Sequence, residues 1–159
     1  MKYNIREIEE KDNKEVENVI RACLIEFGAN HEGTAWADPN LGRFSEIYNT
    51  DGNKYLVAID ENGKIVGGVG IGKLDGIEDV CELQKMYCLP ETRGTGISHK
   101  LMDMALEYAK KLFDKDLPII YSQEHLCLLV GYSKEYVYAI SNSPVKFYRT
   151  FKILTKNGK

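Results

Sequence analysis

Four residues near the middle of the sequence, Arg93-Gly94-Thr95-Gly96, have the composition of a phosphate-binding turn. They lead into a run whose apolar residues recur at helical spacing: Leu101, Ala105, Leu106, Tyr108, Ala109 and Leu112. A helix that begins at a glycine turn presents backbone N–H groups without partners and the positive end of its dipole, and both attract phosphate. Glycine keeps those amides accessible because it has no side chain to hold a ligand's oxygens away. A helix entry that binds nothing is an equally good interpretation of these four residues alone.

The turn matches neither of two common nucleotide-binding motifs. The motif G-x-G-x-x-G requires a third glycine where this sequence has His99 or Lys100, and the P-loop requires G-x-x-x-x-G-K-[ST]. The phosphate prediction therefore depends on the turn and its helix, and not on either motif.

A strand predicted over 80–88 precedes the turn, and Pro90 stops it. Alternation places Glu82, Gln84, Met86 and Cys88 on one face and Cys81, Leu83, Lys85 and Tyr87 on the other. Glu82 is a polar residue in what should be the best-buried strand. Burial of an unpaired carboxylate raises its pKa toward neutrality, as a general base for an ammonium substrate requires. Glu82 is therefore a candidate base, and an ion pair with Lys85 or Arg93 is the alternative.

Five further elements are predicted around this strand and its helix. A first strand covers 3–8, a helix with a capping box from Asp12 to Glu15 ends at Gly28, and a second helix covers 39–52. Two strands over 54–60 and 64–74 are joined by the hairpin turn 60–63. The second of these strands carries Gly67, Gly68, Gly70 and Gly72, which indicates either a bulge beside a pocket or close packing of a helix.

A polar loop over 29–40 contains His31 and the only tryptophan of the chain, Trp36. Functional residues concentrate on loops that a rigid frame supports, so this loop is a candidate substrate entrance. A cover whose tryptophan fills a gap in the core is an equally good interpretation.

The segment from Val80 to Phe113 resembles motif A of the GNAT superfamily of acetyl-coenzyme A-dependent N-acetyltransferases, whose loop reads [Q/R]-x-x-G-x-[G/A]. Arg93 and Gly96 match its first and fourth positions, and Ser98 stands where glycine or alanine is usual. Serine is small, so close approach of a pyrophosphate is still expected. The resemblance implies an α/β fold with a central, mostly antiparallel twisted sheet flanked by helices, and direct acetyl transfer to an amine of a small molecule or peptide.

The resemblance also implies roles for individual residues. The backbone of Met86, Tyr87 and Cys88 would support the pantetheine and acetyl group of acetyl-coenzyme A. The amides of the loop would bind its pyrophosphate: Arg93, Gly94, Thr95, Gly96, Ile97 and Ser98. Phe44 and Tyr48, in the second helix, would shape the acceptor pocket, and Tyr148 matches the tyrosine that protonates the cofactor sulfur.

The C-terminal segment 118–159 departs from the family pattern, because Lys152-Ile153 stands where Gly-Phe is expected. Genuine divergence and a shifted reading frame are both open explanations. The departure also keeps open a second function, that of a protein which binds acetyl-coenzyme A or coenzyme A without turnover. A hairpin is predicted within 122–140, and the apolar run over 126–140 would suit a homodimer contact.

Length and composition predict one domain over 1–159 of globular type, with 43% hydrophobic and 28% charged residues. The net charge of −3 disfavours a nucleic-acid partner, and the absence of a long apolar run predicts no membrane span and a cytoplasmic location. The cysteines show no zinc spacing, so no metal is expected, and a covalent role for the Cys88 thiol is disfavoured.

Overall fold

A computed structural model of the chain describes residues 2–73, 81–112 and 119–121. Its strands are β1 (Asn4–Glu7), β2 (Lys54–Ile59), β3 (Ile65–Lys73), β4 (Cys81–Cys88) and β5 (Ile119–Tyr121), and its helices are α1 (Asn13–Glu26), α2 (Phe44–Ile47) and α3 (Ile97–Leu112). Tyr148, the predicted hairpin within 122–140 and the suggested dimer contact lie outside these residues.

The strands form one sheet in the order β1-β2-β3-β4-β5. Neighbours from β1 to β4 are antiparallel, and β5 runs parallel to β4. A parallel pair needs a crossover connection, which α3 provides between β4 and β5. The predicted α/β class, with a mostly antiparallel sheet flanked by helices, is confirmed.

Helix α1 forms where the apolar periodicity predicts it, but its N-terminus is held differently from the prediction. Asp12 does not cap α1, because its carboxylate accepts hydrogen bonds from Arg6 at 2.6 and 3.0 Å and from the Glu9 amide at 2.8 Å. Glu15 instead accepts the Ile65 amide at 2.9 Å and ties α1 to β3. The capping-box prediction is wrong, because the carboxylates of Asp12 and Glu15 both accept hydrogen bonds from donors outside the helix.

The predicted hairpin between β2 and β3 is confirmed. The Asp60 carboxylate accepts the backbone N–H groups of Asn62 and Lys64, each at 2.9 Å. Gly63 adopts a φ of +83°, which glycine reaches without steric cost. Local chemistry is sufficient to build this turn, since each of these contacts joins residues that are close in sequence.

The second helix is much shorter than predicted, because α2 contains only Phe44–Ile47. Residues before it form tight turns, in which the Asp38 carboxylate accepts the Asn40 amide at 2.9 Å and Gly42 has a φ of +87°. A left-handed residue cannot continue a right-handed helix. The apolar spacing still marks the buried side chains, since Phe44 and Tyr48 both belong to the core.

Helix α3 packs on β2, β3 and β4, and α1 packs on β3 and β4. Buried side chains of α3 are Ile97, Leu101, Met102, Ala105 and Ala109. Both helices are thus anchored on the strands that lead to the glycine turn. Across the described part of the chain, no helix combines the length and apolarity that a membrane crossing requires.

Candidate functional site

The glycine turn lies between the end of β4 and the start of α3, as predicted. Gly94 and Gly96 have φ values of +76° and +79°, and Lys100 donates its amide to the Gly96 carbonyl at 3.2 Å. The amides of Ile97 and Ser98 precede this first helical hydrogen bond, so they belong to the group that a helix leaves without an internal acceptor. Hydrogen bonds within the turn stabilise it, because the Thr95 amide and hydroxyl both donate to the carbonyl of Thr92.

Open space beside the turn fits an anionic group. A Cβ built on Gly94 or Gly96 would meet nothing within 4 Å, and residues 93–96 are all exposed. The Ile97 side chain is buried beneath the turn, so this residue can offer a ligand only its amide. Backbone N–H groups at the positive end of a helix of 16 residues suit the oxygens of a diphosphate.

The Arg93 side chain is directed toward the end of α1. Its guanidinium pairs with Glu26 and lies 6.0 Å from the centre of the Phe27 ring. Arg93 therefore has a partner other than Glu82, and the alternative that paired those two residues is wrong. The spacing of residues in the sequence does not indicate that Glu26 is the partner of Arg93. The available signal is that α1 ends in an acidic residue and has no basic residue in its last turn, which is unfavourable at the negative end of a helix.

Strand β4 contains a bulge that the alternation pattern does not predict. Gly68 pairs with Tyr87 while Gly70 pairs with Gln84, so one residue of β3 faces two residues of β4. Lys85 has a φ of +48°, in the left-handed region that a side chain disfavours. The predicted two faces fail beyond Gln84, because the extra residue shifts the phase and Met86 and Tyr87 are both buried.

Contacts with Asp38 and Tyr55 hold Lys85 in this conformation. Its ammonium forms an ion pair with Asp38 at 2.9 Å, with both side chains about four-fifths buried. Its carbonyl accepts the hydroxyl of Tyr55 at 3.0 Å. Asp38 lies in the loop before α2, so this pair connects the loop to the bulge.

A chain of hydrogen bonds runs from Tyr48 to Glu82. The Tyr48 hydroxyl donates to Gln84 Oε1 at 2.9 Å, and Gln84 Nε2 donates to Glu82 Oε2 at 2.8 Å. Burial raises the pKa of the Tyr48 phenol well above its usual value, and the charges of Asp38 and Glu82 raise it further. The phenol therefore keeps its proton and acts as a donor, which orients the Gln84 amide toward Glu82. Glu82 itself is half-buried beside this chain.

The glycines of β3 accommodate aromatic rings. A Cβ on Gly70 would lie 2.8 Å from three atoms of Tyr48, and one on Gly68 would lie 2.6 Å from the Tyr55 ring. Phe44 packs against both tyrosines, with ring centres 5.4 and 5.0 Å away. The bulge interpretation holds for the pairing of β3 with β4. The helix interpretation is wrong at these glycines, because the atoms nearest to an added Cβ belong to Tyr48, Tyr55, Asn53 and the neighbouring strands.

The loop before α2 packs partly on the core. Trp36 is half-buried, and the Arg21 guanidinium lies 4.7 Å from the centre of its ring. His31 is exposed, and its Nδ1 lies 2.7 Å from the carbonyl oxygen of Glu32. These contacts favour a covering role for Trp36, while a role of Phe44 and Tyr48 in substrate binding stays a prediction.

Burial raises the pKa of the Cys88 thiol to about 12, and the nearby Cys23 contributes to the increase. A thiol with that pKa carries almost no thiolate at neutral pH. The environment of Cys88 therefore argues against a covalent role.

Comparison with known proteins gives one family. The profile of the "Acetyltransferase (GNAT) family" matches residues 14–124. A relative from Escherichia coli (strain K12), "Uncharacterized N-acetyltransferase YjgM", is 42% identical over 110 residues, which are 68% of this chain and 65% of the relative's length.

Solved structures share the fold. An acetyltransferase of the GNAT family from Staphylococcus aureus is 24% identical with a TM-score of 0.61, covering 69% of this chain and 67% of that one. A predicted acetyltransferase with acetyl-CoA from Clostridium acetobutylicum is 21% identical with a TM-score of 0.61, covering 76% of this chain and 80% of that one.

Proposed function

Because the chain belongs to the acetyltransferase (GNAT) family, we propose that it transfers an acetyl group from acetyl-coenzyme A to an amine of a small molecule or peptide. The observation that carries this proposal is the pair of glycines with positive φ at the N-terminus of α3, beside open space. The acetyl-CoA in the Clostridium structure supports the same choice of donor.

Backbone groups of two segments, the glycine turn and the end of β4, would bind acetyl-coenzyme A. The amides of Gly94, Gly96, Ile97 and Ser98 would bind its diphosphate, whereas the Arg93 and Thr95 amides donate to the carbonyls of Pro90 and Thr92. The backbone from Met86 to Cys88 would support its pantetheine arm. When bound, acetyl-coenzyme A supplies the acetyl group as an activated thioester. The bulge at Lys85 and Met86 supports this assignment, because it interrupts the pairing of β4 with β3 at the first residue of that segment.

The acceptor end would lie along β4, near the hydrogen-bond chain. Glu82 is the proposed proton acceptor for the attacking amine, directly or through a water molecule. Tyr48 and Gln84 hold its carboxylate in one orientation, and Phe44 packs behind Tyr48. Tyr148 is proposed, from the family resemblance, as the proton donor for the departing sulfur.

The test measures cofactor binding and turnover separately. Acetyl-coenzyme A at about a hundred times its Kd should stabilise the native protein by about 2.7 kcal/mol, which raises Tm by about 5–10 °C for a chain of this size. Turnover is the release of free thiol in the presence of a panel of amines. A protein that binds but releases no thiol with any amine would be a binder and not an enzyme.

A matched pair of glycine variants tests the turn. Gly96→Val places a side chain on the proposed diphosphate site and should abolish stabilisation by acetyl-coenzyme A. Gly63→Val is the control, because Gly63 has nearly the same φ, +83° against +79°, and equally open surroundings but lies in the β2–β3 hairpin. Both variants carry a similar backbone strain, so only the binding should separate them. Unchanged binding by Gly96→Val would refute the assignment of the turn.

A further inference from the structure

The end of α1 carries charge of the wrong sign for a helix C-terminus. Glu26 is the last residue of the helix, and its last turn contains no basic residue. The carbonyl end of a helix is its negative end, so a carboxylate there is unfavourable unless a cation is supplied from elsewhere. Departures from local rules of this kind concentrate at functional or strained sites.

Arg93 supplies that cation from the glycine turn. Its guanidinium pairs with Glu26 across 67 positions of sequence and lies near the Phe27 ring. The side chains of Arg93 and Glu26 are 55% and 32% exposed, so a ligand in solvent can reach the pair. The guanidinium therefore lies at the negative end of α1, while the backbone of Arg93 belongs to the turn that leads into α3.

Arg93 is also the residue before Gly94, at the start of the proposed diphosphate site. A guanidinium binds phosphate oxygens and carboxylates with the same paired donors, so both ligands compete for it. We propose that Glu26 competes with the diphosphate of coenzyme A for Arg93, weakening retention of the cofactor and speeding its release. This inference rests on the proposed function, because it takes the glycine turn as the diphosphate site.

The size of the effect follows from Coulomb's law. A carboxylate that shares the Arg93 guanidinium with a diphosphate, in surroundings close to water, weakens diphosphate binding by about three- to tenfold. Glu26→Gln removes the charge and keeps the shape of the side chain, so it should tighten diphosphate binding by about the same three- to tenfold. The gain should shrink at high salt, since mobile ions screen exposed charges.

The experiment compares Glu26→Gln with Glu91→Gln. Glu91 is the control because it lies two residues before Arg93 and, like Glu26, forms an ion pair, but with Lys64 and not with Arg93. Calorimetric Kd values are measured for coenzyme A and for dephospho-coenzyme A, which keeps the diphosphate and lacks the 3′-phosphate. Stopped-flow displacement gives the dissociation rate. Thermal melting confirms that each variant is folded, and Glu26→Asp, with its carboxylate withdrawn by one methylene, provides a second variant.

Glu26→Gln should bind both ligands about three- to tenfold more tightly, with slower dissociation, and Glu26→Asp should fall between it and the wild type. Equal or weaker binding by Glu26→Gln, or the same gain with Glu91→Gln, would overturn the inference while leaving the proposed function intact. A wild-type protein that does not bind coenzyme A at all would overturn the proposed function itself, and the inference with it.

Discussion

Gly70 determines whether Tyr48 can reach Gln84. An alanine at position 70 would place its Cβ 2.8 Å from three atoms of Tyr48, all in the phenol end of the ring. The ring cannot move aside freely, because it packs against Phe44 and Tyr55 at centre distances of 5.4 and 5.2 Å. Gly70→Ala should therefore push the phenol away from Gln84.

The expected loss of stability has three contributions. Overpacking of a tight core costs about 1–3 kcal/mol, and loss of the Tyr48–Gln84 hydrogen bond costs about 0.5–1.5 kcal/mol. Replacement of a strand glycine by alanine would by itself stabilise the protein by about 0.5–1 kcal/mol. The two unfavourable contributions are larger, so the free energy of unfolding should fall by about 0.5–4 kcal/mol, which lowers Tm by about 2–4 °C for each kcal/mol.

Chemical denaturation of the wild type, the two single variants and the double variant tests this reasoning as a double-mutant cycle. Tyr48→Leu removes the phenol end of the ring, so Gly70→Ala should cost nothing, or even stabilise, in that background. Tyr48→Phe removes the hydroxyl and keeps the ring, so it measures the hydrogen bond alone. It should lower the free energy of unfolding by only about 0.5–1.5 kcal/mol. If Gly70→Ala raised the stability of the wild-type protein, or cost the same in the Tyr48→Leu background as in the wild type, the steric argument would be wrong.

Two further predictions concern carboxylates. Burial by itself raises the pKa of Asp12, but hydrogen bonds from Arg6 and the Glu9 amide outweigh it and hold the pKa below the ordinary 3.8. The contribution of the Asp12 carboxylate to the stability of the fold is therefore complete above about pH 4 and is lost as pH falls through the native pKa. Urea unfolding from pH 7 to pH 2 should show Asp12→Asn about 1–3 kcal/mol less stable at pH 7, with a difference that shrinks below about pH 4; a constant difference would contradict the linkage. Glu82→Gln should lower kcat by about a hundredfold to ten-thousandfold if Glu82 accepts the proton, with the Kd of coenzyme A unchanged. Wild-type kcat in this variant would remove Glu82 from the mechanism.

Local sequence patterns were sufficient wherever a few neighbouring residues decide the structure. The β2–β3 turn needs only Asp60 and Gly63, and the apolar stripe of α1 is visible in its spacing. The glycine turn is recognisable for the same reason, because the two glycines and the helix after them are contiguous in the sequence. Predicted boundaries were wrong where local rules competed. The second helix begins only at Phe44, because Gly42 before it has a left-handed conformation that a right-handed helix cannot include.

The sequence by itself thus determined the family, the sheet-and-helix class and the position of the glycine turn, since each depends on contiguous residues. Only the tertiary structure decided which charges meet and which side chains form the hydrogen-bond chain that ends at Glu82. Tyr48 and Gln84 are 36 positions apart, and Arg93 and Glu26 are 67 apart, so no spacing rule links them. The bulge at Lys85 is likewise a product of register with β3 and of the Asp38 and Tyr55 contacts. Pairing over such distances depends on how the whole chain packs, and a single sequence does not reveal it.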